Sequence, residues 1–273
     1  MALSVSEAPP LRIALFTLES LASNAAVRAF AEAHAAELVL IGRSKPYRAA
    51  AGGAFGQFWR HLRRSGLRFL PYLFVNFVLP SLVARLRGQH GLADFARVHG
   101  VALLEVEDVN GPACHAALKA ARPDVILSFH FDQIFMLETL ALAPLGAVNI
   151  HPSLLPRHRG PIPAFWALQE GPGATGISIH RIAARIDTGD VLAQRAHPLP
   201  PGVSASTAAR LLHESALPMI GDALRVLTEG KTEGPTAPAL PYCGFPNAAE
   251  IWTARRQGVR LVKAADWRAA LGL

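Results

Sequence analysis

The stretch Gly146-Ala147-Val148-Asn149-Ile150-His151-Pro152-Ser153-Leu154-Leu155-Pro156 decides how this chain is read. Gly146 to Ile150 is a short apolar run of the kind buried in a sheet. The His151-Pro152 step ends it, because proline has no N–H to give to a ladder. Side chains two apart on a strand share a face, so Asn149 and His151 can aim at one ligand. An amide donor beside an imidazole suits chemistry in which an oxyanion develops and a proton must move, as in acyl transfer. Taken singly, each has a plainer reading: Asn at a strand end as a turn former, His as a satisfied loop residue.

Upstream, apolar strands alternate with helices. Leu11–Thr17, Glu37–Gly42, Val101–Val106 and Asp124–Phe129 read as strands; Leu21–Ala36 and Gly111–Ala121 read as helices. That rhythm predicts an α/β domain, a mainly parallel sheet with helices on both faces. Ligands of such sheets sit beyond the carboxyl ends of the strands, where Asn149 and His151 fall. Thr17-Leu18-Glu19-Ser20-Leu21 holds no glycine, so the first strand–helix turn lacks a dinucleotide fingerprint. Downstream, Ser204 to Gly230 predicts a long amphipathic helix capped by Ser204 or Ser206.

Residues 43–88 break the rhythm. Arg43, Lys45, Arg48, Arg60, Arg63, Arg64 and Arg68 surround Phe55, Phe58 and Trp59, and Phe69–Ala84 follows as sixteen residues without a charge. A membrane span needs about 20 apolar residues, so this run, with Pro71 and Pro80 in it, is expected to fall short. The expectation is a helical insert buried against the domain or against a second subunit. A hairpin on a membrane surface through residues 69–84 and a lid over a binding site are the alternatives.

The formal charge of +7 favours anionic partners without choosing among phosphates, polyglutamylated folate, nucleic acid and an acidic membrane. Cys114 and Cys243 are isolated, which suggests neither a disulfide framework nor a zinc site and fits a reducing cytoplasm. No metal-ligand spacing is evident. Met1–Pro10 has no basic start and does not read as a secretory leader.

A second constellation follows downstream of His151: Arg159-Gly160-Pro161-Ile162-Pro163-Ala164-Phe165-Trp166-Ala167-Leu168, Thr175-Gly176-Ile177-Ser178-Ile179-His180, then Ile186-Asp187-Thr188-Gly189-Asp190. With the opening stretch, this order resembles the folate-dependent formyltransferases, a group that includes methionyl-tRNA, glycinamide ribonucleotide and sugar-nucleotide N-formyltransferases. The resemblance is strongest over residues 146–194. It implies a Rossmann-like formyltransferase fold carrying the helical insert and a short C-terminal appendage, divided as a catalytic domain over 1–203 and a helix plus appendage over 204–273. It implies N10-formyltetrahydrofolate as donor and a primary amine as acceptor, on a small or lipid-linked molecule such as an amino-sugar nucleotide. Asn149 and His151 would polarise the formyl oxygen. Asp187 would orient His151 and help remove the amine proton through water. Ser153, Leu154, Leu155 and Pro156 would give backbone contacts to the folate, and the pterin slot would fall at Phe129–Phe135 and just before Asp187. The segment Phe129-His130-Phe131-Asp132-Gln133-Ile134-Phe135 departs from the familiar loops of the group.

His180 is the competing imidazole and is expected to line the site; Phe165 and Trp166 are expected to pack helix against sheet. The last forty or so residues look too few for the separate domain that methionyl-tRNA formyltransferases carry, which points away from nucleic acid. That enzyme, a formyltetrahydrofolate hydrolase and a non-catalytic folate-binding module are the other readings.

Overall fold

The computed structural model describes residues 10–45, 52–230 and 240–273. The leader reading of Met1–Pro10, Pro10 apart, and Arg48 of the basic stretch lie outside the described residues. In chain order the elements are β1 (Ile13–Thr17), α1 (Asn24–Ala33), β2 (Leu38–Ser44), α2 (Gly53–Ser65), α3 (Leu67–Leu86), α4 (Leu92–His99), β3 (Ala102–Val106) and α5 (Pro112–Ala121). Then come β4 (Val125–Phe129), the short α6 (Leu137–Leu140), β5 (Ala147–His151), α7 (Pro163–Glu170), β6 (Gly176–Arg181), β7 (Val191–Ala196), α8 (Ala205–Thr228), α9 (Ala248–Arg256) and α10 (Ala264–Leu271).

The seven strands form one sheet in the order β3-β2-β1-β4-β5-β6-β7. The first five in that order pair in parallel, and β6 and β7 close the edge antiparallel. Both faces are covered, as β1 shows. Its Ile13 and Leu15 join one apolar cluster with Phe30 of α1, Phe95 of α4 and Ile220 of α8. Its Ala14 and Phe16 join another with Cys114 and Leu118 of α5. Burial on both faces is why the parallel strands read as continuous apolar runs. The chain leaves β1 in one direction for β2 and β3 and returns on its other side at β4, which opens a crevice at the carboxyl ends of β1 and β4.

α8 starts where the sequence predicts, with the Ser204 hydroxyl accepting from the Thr207 N–H at 3.0 Å. Its buried face, including Ala216, Ile220 and Ala223, belongs to the main core. The 203/204 boundary therefore falls at the N-cap of a helix that packs on the sheet.

The insert is helical. α3 runs for 20 residues with a mean hydropathy of 1.6 in its most apolar window, 28% of it buried. The sixteen-residue uncharged run underestimated it, because the helix begins before Arg68 and continues past Arg85. On length and composition alone α3 can cross a membrane, so the length objection is corrected. Here one stripe of it docks on the domain: Phe69, Tyr72, Val75, Asn76 and Leu79 are buried at helical spacing. Phe69 and Tyr72 meet Phe165, Ile251 and Leu261, while Val75 and Leu79 meet Ala270. The C-terminal appendage and the insert thus pack on each other. Asp266 pins the appendage to α8, its carboxylate accepting from Ser204 Oγ at 2.7 Å, Thr207 Oγ1 at 2.6 Å and the Lys263 N–H at 2.6 Å.

Pro80 does not stop α3. It leaves the Asn76 carbonyl without its helical donor, and the Leu21 N–H supplies one at 2.9 Å. The turn Phe74–Val78 widens to a π-helix at that point. The Asn76 side chain, fully buried, donates to the Tyr72 carbonyl and accepts from Ser206 Oγ, both at 2.9 Å.

Candidate active site

The register of three neighbouring strands builds the floor of the site. Asn149 of β5 lies opposite Ser128 of β4 on one side and His180 of β6 on the other. Ser128 Oγ donates to Asn149 Oδ1 at 2.9 Å, which orients the amide and turns its nitrogen toward His180 Nε2 at 3.2 Å. His180 Nδ1 lies 2.8 Å from the Arg181 carbonyl, which can only accept, so Nδ1 carries the proton and Nε2 is the acceptor for the amide. Burial, then the neighbouring His151, lowers the His180 pKa, with Asp187 opposing, so this imidazole is neutral near pH 7.

His151 is 3% exposed. Its Nε2 lies 3.2 Å from the His158 carbonyl, while its Nδ1 turns to Asp187 at 3.8 Å. Asp187 reaches His180 Nε2 with its other oxygen at 3.7 Å. Both gaps exceed a direct hydrogen bond.

Asp187 stands on the loop between β6 and β7 with φ 50°, a conformation that Asp tolerates. Two contacts fix that loop. The Gly160 N–H donates to Asp187 Oδ2 at 2.9 Å, and Arg159 donates from Nε and Nη2 to the Ile186 carbonyl at 3.0 and 2.5 Å. Gly160 has φ 130°, and a Cβ there would meet the Cys243 carbonyl oxygen at 2.2 Å, so no other residue fits beside the carboxylate. Arg159 is 6% exposed and also holds the Leu240 carbonyl at 2.8 Å. The sequence reading quoted Arg159 in its motif without giving it a role. A buried guanidinium holding two loops is the reason for it.

Asn149, His151, His180 and Asp187 line one cleft of about 570 Å³ at the carboxyl ends of the strands. His130, Phe131, Asp132, Gln133, Ile134 and Phe135 line it as well, as do Ala183, Arg185 and Ile186. The expected slot segments therefore border the cleft, Phe129 excepted, which lies in the core. Ser153, Leu154, Leu155 and Pro156 do not line it. Ser153 is fully buried and donates to the Arg157 carbonyl at 2.9 Å, while Ser178 Oγ bonds the Ser153 carbonyl and the Leu155 N–H at 2.7 and 3.0 Å. This loop is stitched to β6 and holds the end of β5. Phe165 is core, 1% exposed, and also touches the cleft; Trp166 donates to the Gly244 carbonyl at 3.1 Å.

Two more histidines stand in the cleft wall with no sequence signal beyond their identity, His130 half-buried and His213 buried. His130, with φ 55°, places Nδ1 3.0 Å from both Ser20 Oγ and Ser23 Oγ. His213 of α8 places Nδ1 2.9 Å from the Ala22 carbonyl and buries Nε2 without a partner. Burial depresses their pKa values to about 4 and about 3, so both are neutral at pH 7.

An oriented amide donor, two imidazoles and a carboxylate around one cavity can hold an acyl oxygen and carry away a proton. A model of the formyl transferase family matches residues 87–224, about half of the chain and all four of these residues. The chain belongs to the formyl transferase family. The chain is 41% identical over 136 residues to the methionyl-tRNA formyltransferase of Anaeromyxobacter dehalogenans (strain 2CP-C), a match covering 50% of this chain and 44% of that protein. Matches of this kind span about half the length of the curated relatives. Its fold is that of the glycinamide ribonucleotide transformylase 1 from Symbiobacterium toebii, with a TM-score of 0.56 at 19% identity over 82% of this chain and 90% of that one. The sugar 3N-formyl transferase WlaRD, solved in the presence of dTDP and 5-N-formyl-THF, has a TM-score of 0.52 at 15% identity over 87% of this chain and 71% of that one. The whole of α3 precedes the matched span.

Proposed function

We propose that this formyl transferase moves a formyl group from N10-formyltetrahydrofolate to a primary amine on a small or lipid-linked molecule, with an amino-sugar nucleotide as the first acceptor class to test. The observation that carries the reading is the meeting of Asn149, His151 and Asp187, with His180, at one end of one cleft. The neutral amine forms a bond to the formyl carbon, and the tetrahedral intermediate carries an oxyanion and an ammonium. The C–N10 bond then breaks; the amine loses a proton, N10 gains one, and a formamide and tetrahydrofolate result. The Asn149 amide, held by Ser128, supplies a donor to the oxyanion. Asp187 and the Nδ1 of His151, 3.8 Å apart, take the amine proton through an intervening water. The slot between residues 130–135 and 183–186 suits a flat ring with apolar faces and backbone hydrogen bonds at its edge.

Transfer to initiator tRNA is the second reading, favoured by the 41% identity to a methionyl-tRNA formyltransferase. It predicts tRNA binding that falls steeply with salt. Contact of residues 69–84 with a membrane surface belongs to the same proposal and is read by vesicle co-sedimentation. The central test follows tetrahydrofolate formation from N10-formyltetrahydrofolate with and without a panel of amines. Turnover that needs one amine supports the reading. Formate release without any amine replaces it with hydrolysis, and failure to bind the folate removes it.

A further inference from the structure

Beside the polar cleft lies a second cavity of about 450 Å³. Its walls are mostly apolar, with Phe58 from α2, Leu73, Phe74, Phe77 and Val78 from α3, and Phe131 from the loop after β4. Tyr72, His130, Phe131, Pro161 and Ile162 line both cavities, so the chamber adjoins the cleft. Protein interiors keep few voids larger than a water molecule, and a space of this size is that of a ligand pocket.

Three of these walls, Phe74, Phe77 and Val78, stand on the π turn of α3. That turn is held by the buried Asn76, through its bonds to Tyr72 and Ser206 and its carbonyl bond from Leu21. A π turn fixed by a buried polar side chain is a built feature, of a kind that recurs at functional sites. At the junction the two imidazoles are uncharged, and the Asp132 carboxylate, which accepts from Ser44 Oγ, is the acidic group facing both cavities. Burial, then Arg60 and Arg64, lowers the His61 pKa, and His130 is neutral. On the cleft side Arg60 and Arg64 add positive charge to the wall. The donor folate is a poor guest for the chamber, since its glutamate carboxylates would lose their hydration there.

We propose that the acceptor is an amphiphile, a primary amine borne on a hydrocarbon chain, with the chain lodged in the chamber and the amine delivered to the cleft beside Asn149 and Asp187. This rests on the formyl-transfer reading above. Apolar contact along the chain supplies binding, and the junction sets how far the amine can reach.

The probes are straight-chain primary alkylamines, from butylamine to dodecylamine, kept below micelle formation. Binding is measured by calorimetry and turnover by tetrahydrofolate release, with N10-formyltetrahydrofolate binding recorded on the same protein. The expected result is affinity rising about fourfold per added methylene until the chamber is full, with kcat/KM following. Val78→Trp, which narrows the chamber, and Phe58→Gln, at a position 42% exposed and tolerant of change, flatten that rise. Equal affinity along the series overturns the inference. So does a rise that survives in both variants, or displacement of dodecylamine by 5-formyltetrahydrofolate. Folate binding with a flat chain-length dependence removes the chamber and leaves formyl transfer standing; loss of folate binding in the unaltered protein removes both.

Discussion

The polar cleft and the apolar chamber share a wall and are built in opposite ways. The cleft floor is set by strand register: Ser128, Asn149 and His180 stand abreast on three paired strands, and each hydrogen bond in the row follows from that pairing. The chamber is made by an addition to the sheet, in which α3 leans on the domain and on the C-terminal helices through one buried stripe, with Phe58 of α2 closing another wall. A floor built into the sheet tolerates no slip, because a one-residue shift would turn Asn149 away. A wall built from an inserted helix can change its lining without disturbing the sheet. The matched family span contains the first and excludes α3. In the proposed reading, chemistry sits on the frame and selectivity on the addition.

Several substitutions break or sharpen this contrast. The largest effect is expected at Asp187→Asn, which keeps an oxygen for the Gly160 N–H and a side chain that accepts positive φ, yet removes the base. Tetrahydrofolate release in single turnover should fall roughly 10²–10⁴-fold with the thermal midpoint little changed. An unaltered rate would take Asp187 out of the chemistry. At the other region, Asn76→Ala strips the bonds that hold the π turn and leaves buried partners unpaired, at a cost of about 1–3 kcal/mol in urea unfolding. If only stability falls and the alkylamine chain-length dependence stays, the π turn does not shape the chamber.

Acid should act through the cleft wall. His130 and His213 have pKa values of about 4 and about 3 in the folded chain against 6.5 when unfolded, so between those limits the unfolded chain binds more protons. Stability then rises with pH across roughly 4 to 6.5, by up to about 1.4 kcal/mol per unit for each ring, and is lost as pH falls through that window. His213→Phe should flatten the slope of melting temperature against pH below 6.5, whatever it does to the midpoint at pH 8. An unchanged slope would mean that His213 is not a buried neutral ring. The smallest effect is expected at Ser128→Ala. Loss of one bond to Asn149 Oδ1, worth about 1 kcal/mol, should lower kcat about fivefold and leave folate affinity alone. An equal fall in affinity would place Ser128 in binding rather than in orienting the amide.

Much of the frame was legible in the chain. Strands buried on both faces read as apolar runs, Ser204 announced the start of α8, and Asn149, His151 and Asp187 stood out because their residue types and order fit one reaction. His180 reads in sequence as a residue lining the site, and it also meets the Asn149 amide, a contact that depends on antiparallel pairing of β5 with β6. The Ser153–Pro156 loop, expected to give backbone contacts to a folate, is stitched to β6 and does not line the cleft, an arrangement that nothing local in the sequence announces.

Sequence by itself determined the class of fold, the candidate side chains that the cleft brings together and the presence of an apolar insert, because periodicity and residue chemistry are local properties. Only the tertiary structure decided that Arg159 and Gly160 hold Asp187, that α3 runs through Pro80, and that its π turn walls a chamber adjoining the cleft. Those are contacts between segments far apart in the chain, such as Asn76 with Ser206 and Arg159 with Leu240, and close packing rather than local preference selects them.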